Sequence, residues 1–163
     1  MLLAISICVT IGDDQEKRQE IAGLTSKLND ITNQFTGGDT YAYFTAVSNM
    51  GVGDPPTYPL TLMVKGKYPI RNTVVEIQTV SDDPAKPNLI RQIPVGDGTL
   101  FPDRYLLENF RVSLGRHIIT IRSGIRRINQ TLELSMASDG LQQTGDVFEN
   151  GKKLHDIGES HKR

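Results

Sequence analysis

Thr36-Gly37-Gly38-Asp39-Thr40 and, after one strand-like run, Gly66-Lys67-Tyr68-Pro69-Ile70-Arg71-Asn72-Thr73-Val74-Val75 are the two stretches on which the fold turns. In the first, Gly37 and Gly38 can take the left-handed backbone conformation that closes a helix. In the second, Pro69 lacks an N–H and biases Tyr68 toward extended geometry, which suits a strand changing edge or sheet. Together they divide the chain into a helical stalk, residues 13–36, and an all-β body, residues 39–157. Residues 1–12 precede the stalk, and a polar tail, 158–163, is expected to be disordered.

Upstream of the first stretch, apolar residues recur at Ile21, Leu24, Leu28, Ile31 and Phe35, the alternating three-and-four spacing of a heptad seam. Asp13 and Glu16 have the spacing of a capping box. Asp13–Lys17 and Asp14–Arg18 are acid-before-base pairs one turn apart, so a helix start near Asp13 is predicted unless a membrane helix runs through it. Two readings of the seam stand side by side: a short coiled coil that pairs chains, and one amphipathic helix laid on the body. In a parallel pair Glu20 and Lys27 face Thr25 and Thr32, which adds no charge attraction, and about two heptads make weak pairing. The expectation is a monomer in dilute solution that associates through the seam when held on a membrane.

The apolar run from Met1 to Ile11 is shorter than the roughly 20 residues that span a bilayer. No Lys or Arg precedes it, and Ile11-Gly12-Asp13-Asp14 is no cleavage site for a secretory signal. Ile7 before Cys8 also fits a lipoprotein cysteine poorly. Three readings remain: the end of a membrane helix, a strand or helix packed on the body, and an atypical export signal. The first implies membrane contact through residues 1–12 and a membrane-associated location.

From Thr40 onward the period changes to two. Tyr41 to Val47, Leu60 to Val64, Val75 to Gln78 and His117 to Arg122 read as strands. In Arg127 to Met136, Ile128, Gln130, Leu132, Leu134 and Met136 share one face, and Arg127, Asn129, Thr131, Glu133 and Ser135 share the other; one side is core and one is wet. Ser123-Gly124, Ser138-Asp139-Gly140 and Asn150-Gly151 are hairpin signals between successive runs. No helical crossover separates the strands, which excludes a parallel βαβ plan. About seven strands in antiparallel order predict an immunoglobulin-like β-sandwich preceded by one amphipathic helix, a mainly β fold. Leu60, Leu62, Val64, Val75, Ile77, Ile119, Ile121, Leu132 and Leu134 are its expected core. Residues 50–59, and 81–103 with four prolines and two glycines, read as long surface loops of the kind that carry binding.

The chain of 163 residues suits one domain with an appendage. Its net charge of −1, with both signs interspersed, disfavours nucleic acid as a partner. A single cysteine, Cys8, excludes an internal disulfide framework and a cysteine-built zinc site.

The order of heptad helix, TGGDT, apolar strand, GKYPIRNTVVEI and a closing run of the type IRSGIRRINQTLELSMASDG…VFENGKKL resembles a group of uncharacterised bacterial proteins. In these, membrane helices and a short coiled coil precede an immunoglobulin-like domain with TGGDS and GKYPL-type signatures. The resemblance covers most of residues 21 to 156. It departs at Thr40, where the pattern favours Ser, at Ile70-Arg71-Asn72, and in the lack of tryptophan in the closing strands. It implies architecture and a membrane-proximal position, and no activity.

No motif assigns a catalytic, cofactor-binding or metal-binding residue. His117, His155 and His161 have no second histidine or cysteine at ligand spacing. No nucleophile elbow, phosphate loop or dinucleotide fingerprint occurs. An enzyme would need His117 or His155 to meet a carboxylate such as Glu133 or Asp146. Asp82, Asp83, Asp97 and Asp103 read as turn formers before calcium ligands. Arg116, Arg122, Arg126 and Arg127 read as a solvated hairpin end, and Tyr41, Tyr43 and Tyr68 as packing before a stacking platform. The expectation is a non-enzymatic interaction or scaffold module without cofactor, meeting a protein or glycan through the two loops. The alternative is a structural component of a larger assembly, such as a virion or secretion apparatus; a small hydrolase ranks behind it.

Overall fold

A computed structural model describes residues 2–81, 83, 87–93, 95 and 97–158, without the side chains of residues 2–13, 104, 106, 108 and 109. Cys8, Asp82, His161 and the 159–163 part of the tail lie outside the described residues or side chains. Helix α1 spans Leu2–Thr36. It runs through Asp13, where the sequence predicted a start. Acid–base pairs at i, i+4 spacing support a helix interior as well as its first turn, so they do not by themselves mark an end.

Nine strands follow: β1 (Tyr41–Ala46), β2 (Thr57–Lys65), β3 (Thr73–Thr79), β4 (Leu89–Ile93), β5 (Arg104–Ser113), β6 (Gly115–Ser123), β7 (Arg126–Ala137), β8 (Gly140–Glu149) and β9 (Lys152–Ile157). They form two sheets, β1-β2-β5 and β4-β3-β6-β7-β8-β9, and every pairing is antiparallel. The segment Gly66–Arg71 carries the chain from the first sheet to the second, the change of sheet that Pro69 suggested. From β6 onward the three expected hairpin turns join neighbours in a meander.

This is a β-sandwich with a preceding helix. All nine expected core residues are buried, together with Phe44, Ile70, Leu100, Val112, Ile128 and Val147. Truncating one such Leu or Ile to Ala typically costs about 2–5 kcal/mol. On β7 the alternation holds from Ile128 to Leu134 and fails at Met136, which is exposed.

Both expected long loops need correction. Within residues 81–103, β4 pairs with β3 from Val75↔Ile93 to Thr79↔Leu89, and Ile70 pairs with Leu100. The four prolines of that stretch all fall outside Leu89–Ile93, so they leave the ladder intact. Within residues 50–59, β2 begins at Thr57 and Tyr58 is buried. Val52 and Thr57 exchange backbone hydrogen bonds of 3.0 and 2.9 Å. Arg111 donates to the Thr57 carbonyl at 2.8 Å and to the Met50 carbonyl, which pins the turn from below.

Two glutamines close the sandwich on its β1 side. Gln130 of β7, 1% exposed, accepts from Phe44 N–H and donates to Phe44 C=O, each at 2.7 Å. Gln143 of β8 accepts from Ala46 N–H at 2.9 Å and donates to its carbonyl at 3.4 Å. Each side-chain amide stands in for one residue of a neighbouring strand. At Phe44 and Ala46 the edge of β1 is thereby satisfied from within the molecule, as an edge strand needs if it is not to pair with another chain.

Candidate functional site

The two deciding stretches of sequence meet at the base of the stalk. After Thr36 the chain reverses through Gly37 and Gly38, with φ of 82° and 53°, and Thr40 N–H donates to Gly37 C=O at 2.9 Å. Thr40 is fully buried, and its hydroxyl accepts the Tyr68 N–H at 3.0 Å. Gly66 packs so closely that a Cβ there would collide with Thr40. The Tyr68 hydroxyl then reaches back to the helix and donates to Asp30 Oδ1 at 2.6 Å, with Lys67 Nζ 3.9 Å from the same oxygen.

On the other side of this elbow, Arg126 holds Glu149 through two hydrogen bonds of 2.7 and 2.9 Å. Its remaining nitrogen, Nη1, donates to the Thr36 carbonyl at 3.2 Å. A guanidinium at a helix C-terminus meets the negative end of the helix dipole and an otherwise unpaired carbonyl. TGGDT and GKYP are therefore two halves of one joint, which fixes how the helix leaves the body.

The joint uses one face of α1. Among its described side chains only Asp30 and Asn33 are half-buried. On an ideal helix of about 100° per residue, they lie about 140° and 160° from the centre of the apolar seam. The seam itself is bare: Ile21, Leu24, Leu28, Ile31 and Phe35 are 51–75% exposed. The reading in which this stripe is laid on the body is thus corrected. The polar face makes the attachment, where the Tyr68 hydroxyl and Lys67 meet Asp30.

Phe35 and Ile125, the latter 100% exposed at the β6–β7 turn, line one small cavity of about 170 Å³ with Arg71 and Arg126. A larger cleft of about 840 Å³ opens beside β1, β8 and β9, lined by Tyr43, Gln143, His155, Asp156 and Ile157 among others. Its wall is aromatic. The His155 ring lies 4.3 Å from that of Tyr43 and 6.2 Å from that of Tyr41. Burial, then the neighbouring Tyr41, push the Tyr43 phenol up from its ordinary value. Lys153 bridges Asp146 and Asp156 at 2.6 Å each. The hydrogen bond to Asp146, then that to Asp156, hold its ammonium well above the usual lysine range.

The residues an acid–base site would have required lie apart. His117 is in the core, where its ring bonds Ser113 C=O at 2.9 Å and the Thr79 hydroxyl at 3.2 Å. His155 faces tyrosines, and Asp146 faces Lys153. Of the arginines, Arg122 pairs with Glu76 at 2.5 Å, Arg126 with Glu149, and Arg127 with Asn129. Tyr68 parts company with Tyr41 and Tyr43 and serves the elbow. Asp97 accepts from Thr99 N–H at 2.9 Å, a turn contact. Among the described residues no group of three or more His, Cys, Asp or Glu side chains is placed to hold a metal ion.

Sequence reading missed the Asp30–Tyr68 and Arg126–Thr36 contacts. Their partners are far apart in the chain and carry no mutual spacing signal. No family model matches this chain, and neither a curated protein nor a solved structure does. Among the described residues no helix is long and apolar enough to cross a membrane.

Proposed function

We propose that this protein is a non-catalytic interaction or scaffold module, an immunoglobulin-like sandwich presented on a helical stalk close to a membrane. The observation that carries the reading is the division of α1 into two faces. Tyr68 and Arg126 of the body hold it at Asp30 and at the Thr36 carbonyl, while five apolar side chains on the face opposite Asp30 stay exposed. A helix held in this way spaces and orients the body instead of completing its core. Its described backbone of 35 residues extends about 50 Å at 1.5 Å per residue.

A protein or glycan partner would meet the body through the two stretches 50–59 and 81–103. Val52, Leu89, Ile90 and Phe101 stand exposed in them. Vesicle flotation tests the membrane part. The full chain should rise with phosphatidylcholine–phosphatidylglycerol vesicles, and a chain lacking residues 1–12 should stay behind. A full chain that never floats would overturn it. A stable stoichiometric oligomer in vesicle-free solution would favour the alternative, a component of a larger assembly.

A further inference from the structure

On the core face of β7, Ile128, Gln130, Leu132 and Leu134 are buried, whereas Met136 is 53% exposed. Its sulfur nonetheless has a buried partner: the Tyr58 hydroxyl donates to Met136 Sδ at 3.2 Å. Tyr58 is 4% exposed, and among the described residues its hydroxyl has no other acceptor. The Gly51 backbone lies against the same ring, so close that a Cβ there would come within 2.6 Å of it. The Tyr58 ring is thus the surface on which the chain rests as it enters the turn between Val52 and Thr57, and a thioether open to water holds that ring by its hydroxyl. We propose that Met136 is a site of reversible oxidation and that its oxidation loosens the stretch 50–59.

A hydroperoxide supplies the oxygen. A sulfur lone pair forms the S–O bond as the O–O bond breaks, and sulfur loses two electrons. The leaving oxygen takes the proton of the transferred one and departs as water or an alcohol. A thioether is a weak acceptor to begin with. In the sulfoxide the accepting atom is an oxygen one bond further out, and the electron-poor sulfur no longer holds the Tyr58 hydroxyl. A buried hydroxyl left without its acceptor is costly, so the ring follows the oxygen and Gly51 moves with it. Arg111 still holds the Met50 and Thr57 carbonyls, so the turn is loosened and not released. A dithiol reductant restores the thioether, becoming a disulfide while the oxygen leaves as water. The consequence for a partner rests on the reading of 50–59 as a contact stretch; the oxidation and the loosening do not.

Treating the full chain with hydrogen peroxide tests both steps without a partner. Peptide mass spectrometry should show Met136 oxidised roughly tenfold faster than the half-buried Met63. Amide hydrogen exchange between Gly51 and Thr57 should then quicken about threefold or more, with β3 and β6 unchanged. A methionine sulfoxide reductase supplied with dithiothreitol should return it to its starting rate. Met136→Leu removes the sulfur at an exposed site and keeps the bulk; whatever its starting rate, peroxide should leave that rate as it was. Met50→Leu removes the other exposed sulfur near the turn, at 37% exposure, and should respond as the wild type does. Oxidation of Met136 no faster than that of Met63 would overturn the proposal. So would unchanged exchange once Met136 is fully oxidised, or a response that persists in Met136→Leu or vanishes in Met50→Leu. A turn that loosens on oxidation in a protein found to bind nothing through 50–59 keeps the site and rejects only the contact reading.

Discussion

The Tyr68 hydroxyl donates to Asp30 Oδ1 across 2.6 Å, joining a residue of the inter-sheet crossing to the polar face of the stalk. Hydrogen bonds to a charged acceptor are worth about 1.5–3 kcal/mol, less where water competes. Tyr68→Phe should therefore leave the sandwich folded while weakening the hold on the helix. Amide hydrogen exchange should quicken in the last turns of α1 and stay unchanged in β6 and β7. Equal acceleration throughout would show that the bond supports the body and not the joint.

Gln130 is the more severe test of the body. Replacing it by Leu leaves Phe44 N–H and C=O buried without partners, and an unsatisfied buried group costs about 1–3 kcal/mol. A loss of about 2–6 kcal/mol in urea denaturation is expected from the two groups together. Gln143→Leu, at a less buried site, should cost less. The double variant should also aggregate through its uncovered β1 edge. A neutral Gln130→Leu would mean that water replaces the amide.

His117 sets a pH dependence. Burial, reinforced by the nearby Arg91 and partly offset by the Ser113 carbonyl, lowers its pKa from the ordinary 6.5. The unfolded chain thus binds the proton first as pH falls, so the stability of the neutral form is complete above about pH 6.5. It is lost progressively as pH drops from there through the folded-state pKa. Denaturation midpoints measured from pH 8 to pH 4 should fall more steeply in the wild type than in His117→Gln. Parallel curves would assign the acid sensitivity elsewhere.

Much of the body was legible because its strands obey a period of two over long runs. Ile119, Ile121, Leu132 and Leu134 could be placed by alternation alone, and Asn150-Gly151 announced its own hairpin. Leu89–Ile93 escaped because five residues between prolines give too short a pattern to stand out. Gln130 was visible as a polar residue on a core face, yet its target, Phe44, lies 86 residues away. The elbow was half legible: both motifs stood out, but only folding brings Thr40 against Gly66 and Asp30 within reach of Tyr68. The seam was readable, while its exposure was not, since heptad spacing serves a docked helix and a free one equally.

Gly66→Ala probes the closest approach in the joint. Gly66 has φ 137°, and an added methyl would strike Thr40. A loss of about 1–3 kcal/mol is expected from strain and overpacking. Gly140→Ala, where φ is 119° and a Cβ meets nothing within 4 Å, controls for the positive φ alone. Equal losses at the two sites would remove the steric part of the argument.

Pulsed dipolar spectroscopy shows whether the elbow holds the stalk at a fixed angle to the body. Spin labels at Ser26 on the stalk and Lys152 at the β8–β9 turn, in the full chain with Cys8→Ser and diluted with unlabelled protein, report the distance between the two parts. One narrow distribution is predicted, broadening when Tyr68→Phe and Arg126→Ala are combined. A broad distribution in the otherwise unaltered chain, unchanged by that pair of substitutions, would mean that the elbow does not hold the stalk.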